Sequence, residues 1–361
     1  MALLEVEDLV VQFYTDDGVV RAVDGISYEV HRGETVAVVG ESGAGKTVTS
    51  LALLRLIEGP GEIVGGEIRF DGRDVLECSD EELRRVRGNE IAMVFQDPET
   101  ALNPVYTVGE QIAEAIRAHR DVTDERARER AIELLERVGV PDAASRYTDY
   151  PHEFSGGQQQ RVVIAMALSC DPDLLVCDEP TTALDVTVEA QLLELLEDLA
   201  AEFDAAIQFV SHDLGVVAER CDRVLVMYAG QVVERAPVDD LYYDPKHPYT
   251  VGLMASIPRL GDDRDRLPTI PGTPPDLVDA PTGCRFHPRC PYAEDCCAIR
   301  EPSLVEAETG SAATPVDVPP DDHLAACHEY TGDLEGGLDY HVVVRDADGD
   351  GDGNGTGGEF E

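Results

Sequence analysis

Residues 40–47 carry the clearest chemistry. Gly40-Glu-Ser-Gly-Ala-Gly-Lys46-Thr47 fits the pattern G-x-x-x-x-G-K-[ST], whose glycines let backbone N–H groups curl around phosphate oxygens. The apolar run Thr35–Val39 precedes it and a helical pattern follows, so a helix N-terminus adds its partial positive charge. On this reading Gly40, Ser42, Gly43, Ala44, Gly45 and Val48 wrap a triphosphate. Lys46 neutralises its β- and γ-phosphates, and the Thr47 hydroxyl ligates Mg²⁺. The basic residues sharpen the point: of 28 Lys and Arg only Lys46 and Lys246 are lysine. One of the two stands where a compact ammonium suits phosphate better than a planar guanidinium.

Other groups of suitable type lie further along. Leu174-Leu-Val-Cys-Asp178-Glu179-Pro180 is an apolar strand ending in two carboxylates, which places them at the C-terminal edge of a sheet beside the phosphate loop. Asp178 is suited to hold Mg²⁺ and Glu179 to polarise an attacking water. Ser155-Gly-Gly-Gln158 opens a helical stretch and forms a second anion nest. His212 follows a strand and Gln96 ends one; alone, each reads equally as a satisfied strand-end side chain. Cys284, Cys290, Cys297 and Cys327 are spaced C-x5-C-x6-C-x29-C. Four thiolates suit Zn²⁺ or an iron–sulfur cluster, and Cys296 competes with Cys297 as the third ligand.

Short strands at Leu3–Tyr14, Arg21–Val30 and Thr35–Val39 are expected before the loop, with turn signals between them. A helix over Lys46–Ile57 follows. Buried strands are expected at Ile91–Gln96, Leu174–Cys177, Ala206–Ser211 and Arg223–Tyr228, and helices at Ser155–Ser169 and Val188–Phe203. Alternation of this kind builds a mostly parallel sheet covered on both faces. Val108–Arg120 and Asp124–Val138 have helical periodicity with no strand between them, an inserted helical subdomain over about 97–158. Twelve of the 22 prolines fall between Pro237 and Pro302, marking a loop-rich module after about residue 236.

The motifs together resemble the ATP-binding-cassette (ABC) ATPases over residues 1–235. Phe154-Ser155-Gly-Gly-Gln158 matches the family signature with Phe for the usual Leu. Gln96 matches the Q-loop, Ala183-Leu184-Asp185 the D-loop and His212 the switch histidine. Phe13 lies where the family stacks an aromatic on adenine, with Tyr14 as the alternative. The resemblance implies an α/β P-loop NTPase core with an N-terminal antiparallel β region. It implies ATP hydrolysis by Glu179, Lys46, Gln96 and His212, with Mg²⁺ held by Thr47, Gln96 and Asp178. It also implies a head-to-tail dimer, in which Ser155, Gly156, Gly157, Gln158 and Asp185 meet nucleotide held by the other subunit.

His247-Pro-Tyr-Thr250, Ser256-Ile-Pro258 and Gly283-Cys-Arg-Phe-His-Pro-Arg-Cys-Pro291 resemble the C-terminal extension of dipeptide, oligopeptide and nickel importer ATPases. That resemblance implies a cassette domain over 1–235 and an importer-type module over 236–335; it does not cover the acidic Gly/Asp-rich tail over 336–361, which its composition marks as disordered. It implies uptake of peptides, with nickel or sugars as alternatives. The partners it implies are two transmembrane permease subunits, a second ATPase subunit and, indirectly, an external solute-binding protein. Members of this subfamily carry a [4Fe–4S] cluster at such cysteines, which puts the cluster ahead of zinc and of free thiols. The tail also contains a calcium-loop pattern from Asp348 to Glu359, which an Asp/Gly repeat generates by chance.

With 73 Asp and Glu, the formal charge is -45. Only six of those acids fall in the last 17 residues, so the acidity covers the whole chain and opposes binding to nucleic acid. Hydrophobic residues make up 43%, too many for a disordered polyanion. Abundant carboxylate with scarce lysine resembles cytosolic proteins of salt-accumulating halophiles, for which a need for molar salt is expected. No signal peptide or membrane span is expected, which leaves a peripheral position on the cytoplasmic face of a membrane.

Overall fold

The computed structural model describes residues 2–181, 186–257, 269–311 and 319–338. The expected D-loop residue Asp185 and the calcium-like pattern of the tail lie outside the described residues. Two sheets organise the molecule. In the first, β1 (Ala2–Thr15) and β2 (Gly18–His31) form a hairpin, and β4 (Gly61–Phe70) and β5 (Arg73–Asp74) extend it in the order β2-β1-β4-β5. Between them in sequence come β3 (Thr35–Val39) and α1 (Lys46–Leu53). All pairs in this sheet are antiparallel.

The second sheet holds β3, β6 (Ile91–Val94), β7 (Leu174–Asp178), β8 (Ala206–Ser211) and β9 (Arg223–Tyr228) as parallel neighbours. Antiparallel β10 (Gln231–Pro237), β11 (Val305–Glu306) and β12 (Leu324–Ala325) complete the order β11-β12-β10-β9-β3-β8-β7-β6. Its strands are apolar on both faces because both are covered. Val36 and Val38 of β3 point to the core shared with the antiparallel sheet, while Ala37 and Val39 point to the core shared with the helices. The same alternation divides Leu174 and Val176 from Leu175 and Cys177 on β7.

The short α2 (Asp80–Val86) packs on the antiparallel-sheet core through Leu83 and Val86, and on the helical side α3 (Pro98–Ala101) precedes α4 (Val108–His119) and α5 (Asp124–Arg137). Thr107 and Thr123 cap α4 and α5 by accepting the N–H groups of Glu110 and Arg126, which fixes where each helix begins. Then come α6 (Ala143–Arg146), α7 (Gly156–Ala167), α8 (Val186–Phe203) and α9 (Leu214–Arg220). Beyond β10 lie α10 (Val238–Tyr243), α11 (Pro248–Ala255) and α12 (Asp295–Ile299).

Three expectations need correction. The helix after the phosphate loop ends at Leu53 rather than Ile57, because Arg55 takes a left-handed φ of 50° and Leu56 and Ile57 pack from a loop onto the antiparallel-sheet core. The strand expected to reach Gln96 stops at Val94, and Pro98 starts a helix four residues on, as its fixed φ allows. The loop-rich module also joins the main sheet: Ala325 and Leu324 of β12 pair with Glu234 and Arg235 of β10. The strand β4 is not among the expected elements; Gly65 and Gly66 accompany irregular register against β1, while Gly61 pairs regularly with Phe13.

Candidate active site

Residues 40–47 bridge the end of β3 and the start of α1, pressed against neighbouring backbone. A Cβ at Gly40 would come within 2.2 Å of the Met227 carbonyl oxygen, and one at Gly45 within 2.4 Å of that of Ala22. Both residues have positive φ, 153° and 103°, so glycine is required twice over. Lys46 is 6% exposed. Its Nζ donates to the carbonyls of Gly40 at 2.8 Å and Glu41 at 3.2 Å, folding the side chain back over the loop. Burial pulls its pKa down, and the carboxylates of Glu179 and Asp178 oppose that fall.

The carboxylates stand beside it. The Thr47 hydroxyl donates to Asp178 Oδ1 at 3.0 Å, joining the first turn of α1 to the end of β7. Burial pushes the Asp178 carboxyl up, against the Thr47 hydrogen bond. Glu179, the next residue, has a left-handed φ of 46°. That uncommon conformation for a non-glycine residue turns its carboxylate out of the strand, while its N–H donates to the Val210 carbonyl at 3.0 Å. Gln96 Nε2 donates to Glu179 Oε2 at 3.0 Å, and His212 Nδ1 lies 3.4 Å from Glu179 Oε1. Glu179 thus gathers Gln96 from after β6 and His212 from after β8. Thr47 and Asp178 offer the hard oxygen donors that Mg²⁺ takes.

Other expected residues lie elsewhere on the fold. Phe13 is half-buried near the end of β1, against Gly61, and Tyr14 beside it is exposed. Ser155 heads α7, its N–H donating to Gln158 Oε1 at 3.1 Å, and Ser155 and Gly156 face outward while Gly157 and Gln158 are half-buried. The unusual Phe154 is buried, with the Arg146 guanidinium 4.0 Å above its ring. The helix α7 packs on α3, α4, α5 and β6.

Residues from beyond position 236 reach the phosphate loop, with no local signal to announce them. The Glu41 N–H donates to the Tyr249 hydroxyl at 2.8 Å. Its carboxylate receives both arms of Arg289, at 2.6 and 3.1 Å. Arg289 Nε donates to the Pro271 carbonyl at 2.8 Å. Glu41 occupies a position the loop pattern leaves free, and 248 residues separate it from Arg289; no local signal joins them.

Cys284, Cys290, Cys297 and Cys327 line one small cavity with His247, His287 and His328, walled by Phe286, Tyr292, Leu334 and Leu338. Cys296 is not among its lining residues, which favours Cys297 as the inward thiol. Backbone N–H groups of Phe286 and His287 partly offset the effect of burial on the Cys284 thiol, as that of Tyr292 does at Cys290 and that of Glu329 at Cys327. Such donors stabilise anionic sulfur. Among the described residues, no three His, Cys, Asp or Glu side chains are gathered closely enough to hold a single metal ion.

Comparisons with known proteins agree with this geometry. Residues 23–182 match the ABC transporter model, and residues 233–297 match that of the oligopeptide/dipeptide transporter C-terminal region. The oligopeptide transport ATP-binding protein OppD of Bacillus subtilis is 53% identical over 304 residues, 84% of this chain and 85% of that one. The dipeptide transport ATP-binding protein DppD of Escherichia coli is 50% identical over 304 residues, 84% of this chain and 93% of that one. Among solved structures, a dimeric post-hydrolysis state of the ATP-binding cassette MJ0796 bound to ADP and Pi has a TM-score of 0.59 at 27% identity, covering 65% of this chain and 98% of that one. The cbiO1 structure from Clostridium perfringens, part of the cbiONQ transporter complex, has a TM-score of 0.58 at 27% identity, covering 67% of this chain and 91% of that one. The phosphate loop, the paired carboxylates and the extension beyond β10 therefore have one common explanation: the chain belongs to the ABC ATPases, in the branch that carries the oligopeptide/dipeptide transporter C-terminal region.

Proposed function

We propose that the chain hydrolyses ATP on the cytoplasmic face of a membrane to drive uptake of peptides through a permease. The observation that carries this reading is the cluster in which Thr47 meets Asp178 while Gln96 and His212 meet Glu179, on a chain whose extension matches the peptide-transporter region. Among the described residues no helix is long and apolar enough to cross a membrane, so the route for solute belongs to partner subunits. Two permease subunits and a second ATPase subunit are the proposed assembly, with nickel or sugar transport as the other cargo outcomes.

In the proposed reaction Lys46 and the loop N–H groups hold the β- and γ-phosphates, and Phe13 stacks on adenine. Thr47, Gln96 and Asp178 would hold Mg²⁺, which would offset phosphate charge. Glu179 accepts a proton from water as its oxygen bonds to the γ-phosphorus and the bond to the β–γ bridging oxygen breaks. Gln96 and His212 orient the Glu179 carboxylate. Ser155, Gly156, Gly157, Gln158 and Asp185 act on nucleotide held by the partner subunit. Glu179→Gln keeps the hydrogen bonds but cannot take the proton. Its ATPase rate is expected to fall about a thousandfold while ATP binding and dimer formation persist; a wild-type rate would refute the role.

The four cysteines are proposed to hold a [4Fe–4S] cluster, with zinc as the other reading. The one cavity that all four line supports a shared group. The acidic surface is proposed to need high salt, which screens like charges packed at this density.

A further inference from the structure

A carboxylate in a phosphate-binding loop is an electrostatic liability. Glu41 follows the first glycine of the loop, and its carbonyl accepts from Lys46 Nζ at 3.2 Å, so a negative charge is carried next to the site read as holding a triphosphate. The extension beyond β10 meets that charge from outside the cassette. Arg289 places a two-armed guanidinium on the Glu41 carboxylate, the geometry in which arginine binds carboxylate most strongly. The pair is well sheltered, with the Arg289 side chain 5% exposed and that of Glu41 28% exposed.

The guanidinium is fixed from other sides as well. Its Nε is tied to the Pro271 carbonyl, and one arm also donates to the Tyr228 hydroxyl at 3.2 Å. The Tyr228 ring packs edge-on against Phe286 at 5.2 Å and tilted against Tyr249 at 4.6 Å. Tyr249 is fully buried and fixes the backbone of the same loop residue by accepting the Glu41 N–H. One loop residue is therefore held at its amide and at its carboxylate by two residues of the extension.

We infer that the C-terminal module completes the nucleotide site: Arg289 cancels the charge of Glu41, and Tyr249 fixes its amide, so that the loop can accept a triphosphate. Both are positioning residues that act through Glu41. The inference rests on residues 40–47 being the ATP site.

The test is calorimetric titration of the full-length chain with Mg²⁺ and a non-hydrolysable ATP analogue. Arg289→Gln exposes the Glu41 charge and is expected to weaken binding about tenfold. Glu41→Gln removes the repulsion and binds at least as well as wild type. The double variant Glu41→Gln/Arg289→Gln recovers to within about threefold of wild type, which a loss of module packing would not allow. Arg289→Lys gives up the two-armed geometry but keeps the charge that cancels Glu41, and is expected to lose no more than about threefold. Tyr249→Phe, which keeps the ring, loses about threefold.

Wild-type affinity in Arg289→Gln, or no recovery in the double variant, overturns the inference. So does a tenfold loss in Arg289→Lys, which would place the effect in packing. Should Arg289→Gln not fold, Arg289→Lys and Tyr249→Phe still decide the matter, since a tenfold loss in Arg289→Lys or wild-type affinity in Tyr249→Phe refutes it. Lys46→Ala separates the two readings: unchanged affinity there would refute the ATP site itself.

Discussion

The phosphate loop and the cysteine cavity handle charge in opposite ways. At the loop every charged group already has a partner of its own chain: Lys46 has two carbonyls, Glu41 has Arg289, Asp178 has Thr47 and Glu179 has Gln96. At the cavity, burial pushes the thiols up, Cys284 to about 11 and Cys290 and Cys327 to about 12. Thiols raised this far keep their protons near neutral pH, and the cluster proposed above would have to displace them to bind. A ligand exchanged in every catalytic cycle calls for a site whose geometry stands without it. A resident group can supply the charge that holds its own site together.

The contrast can be broken in three ways. The largest effect is expected from Lys46→Ala, which should lower ATPase activity at least about a hundredfold while the thermal midpoint stays within about 2 °C of wild type. A large drop in midpoint would show that the loop, too, is needed for folding. Next, Cys290→Ser should lower bound iron from about four atoms per chain and depress the midpoint by about 5 °C. Iron content and visible absorbance of anaerobically purified protein check this; a colourless, zinc-containing protein would replace the cluster with zinc.

The smallest effect concerns His247, which lines the cavity and caps the helix carrying Tyr249. Burial pushes its pKa down to about 4, below the usual 6.5, so the folded protein holds it neutral. Its contribution to stability is complete above about pH 6.5 and is lost as the pH falls toward 4. By pH 5.5 the loss is about 1 kcal/mol, a shift of roughly 2–3 °C. Melts of wild type and His247→Asn between pH 7 and 5.5 should show a steeper fall in wild type; parallel curves would remove His247 from the account.

Much of this was legible in the sequence. The bounds expected for β3, β8 and β9 match because continuous apolar runs buried on both faces have abrupt ends. Glu179, Gln96 and His212 were readable because each follows such a run, so all three emerge at one sheet edge. The strand β4 was hidden by glycines that normally break strands. The choice between Cys296 and Cys297 needed α12, in which successive side chains point about 100° apart. Glu41 and Arg289 were beyond reach, because nothing local in either segment specifies a partner hundreds of residues away.

The last described strand sets a condition on how the protein is made. Leu324 and Ala325 pair with β10, and the Ala326 N–H donates to the Val233 carbonyl. The Glu234 carboxylate on that strand is wholly buried and is met by His323 and by the N–H groups of Lys246 and His247. A growing chain that has reached only the end of β10 therefore carries an open sheet edge and a carboxylate whose hydrogen-bonding partners are still to be synthesised. Until residue 325 has been added, that edge is available to other chains. The ATPase is finished as a sheet only when the segment that looked like an appendage arrives.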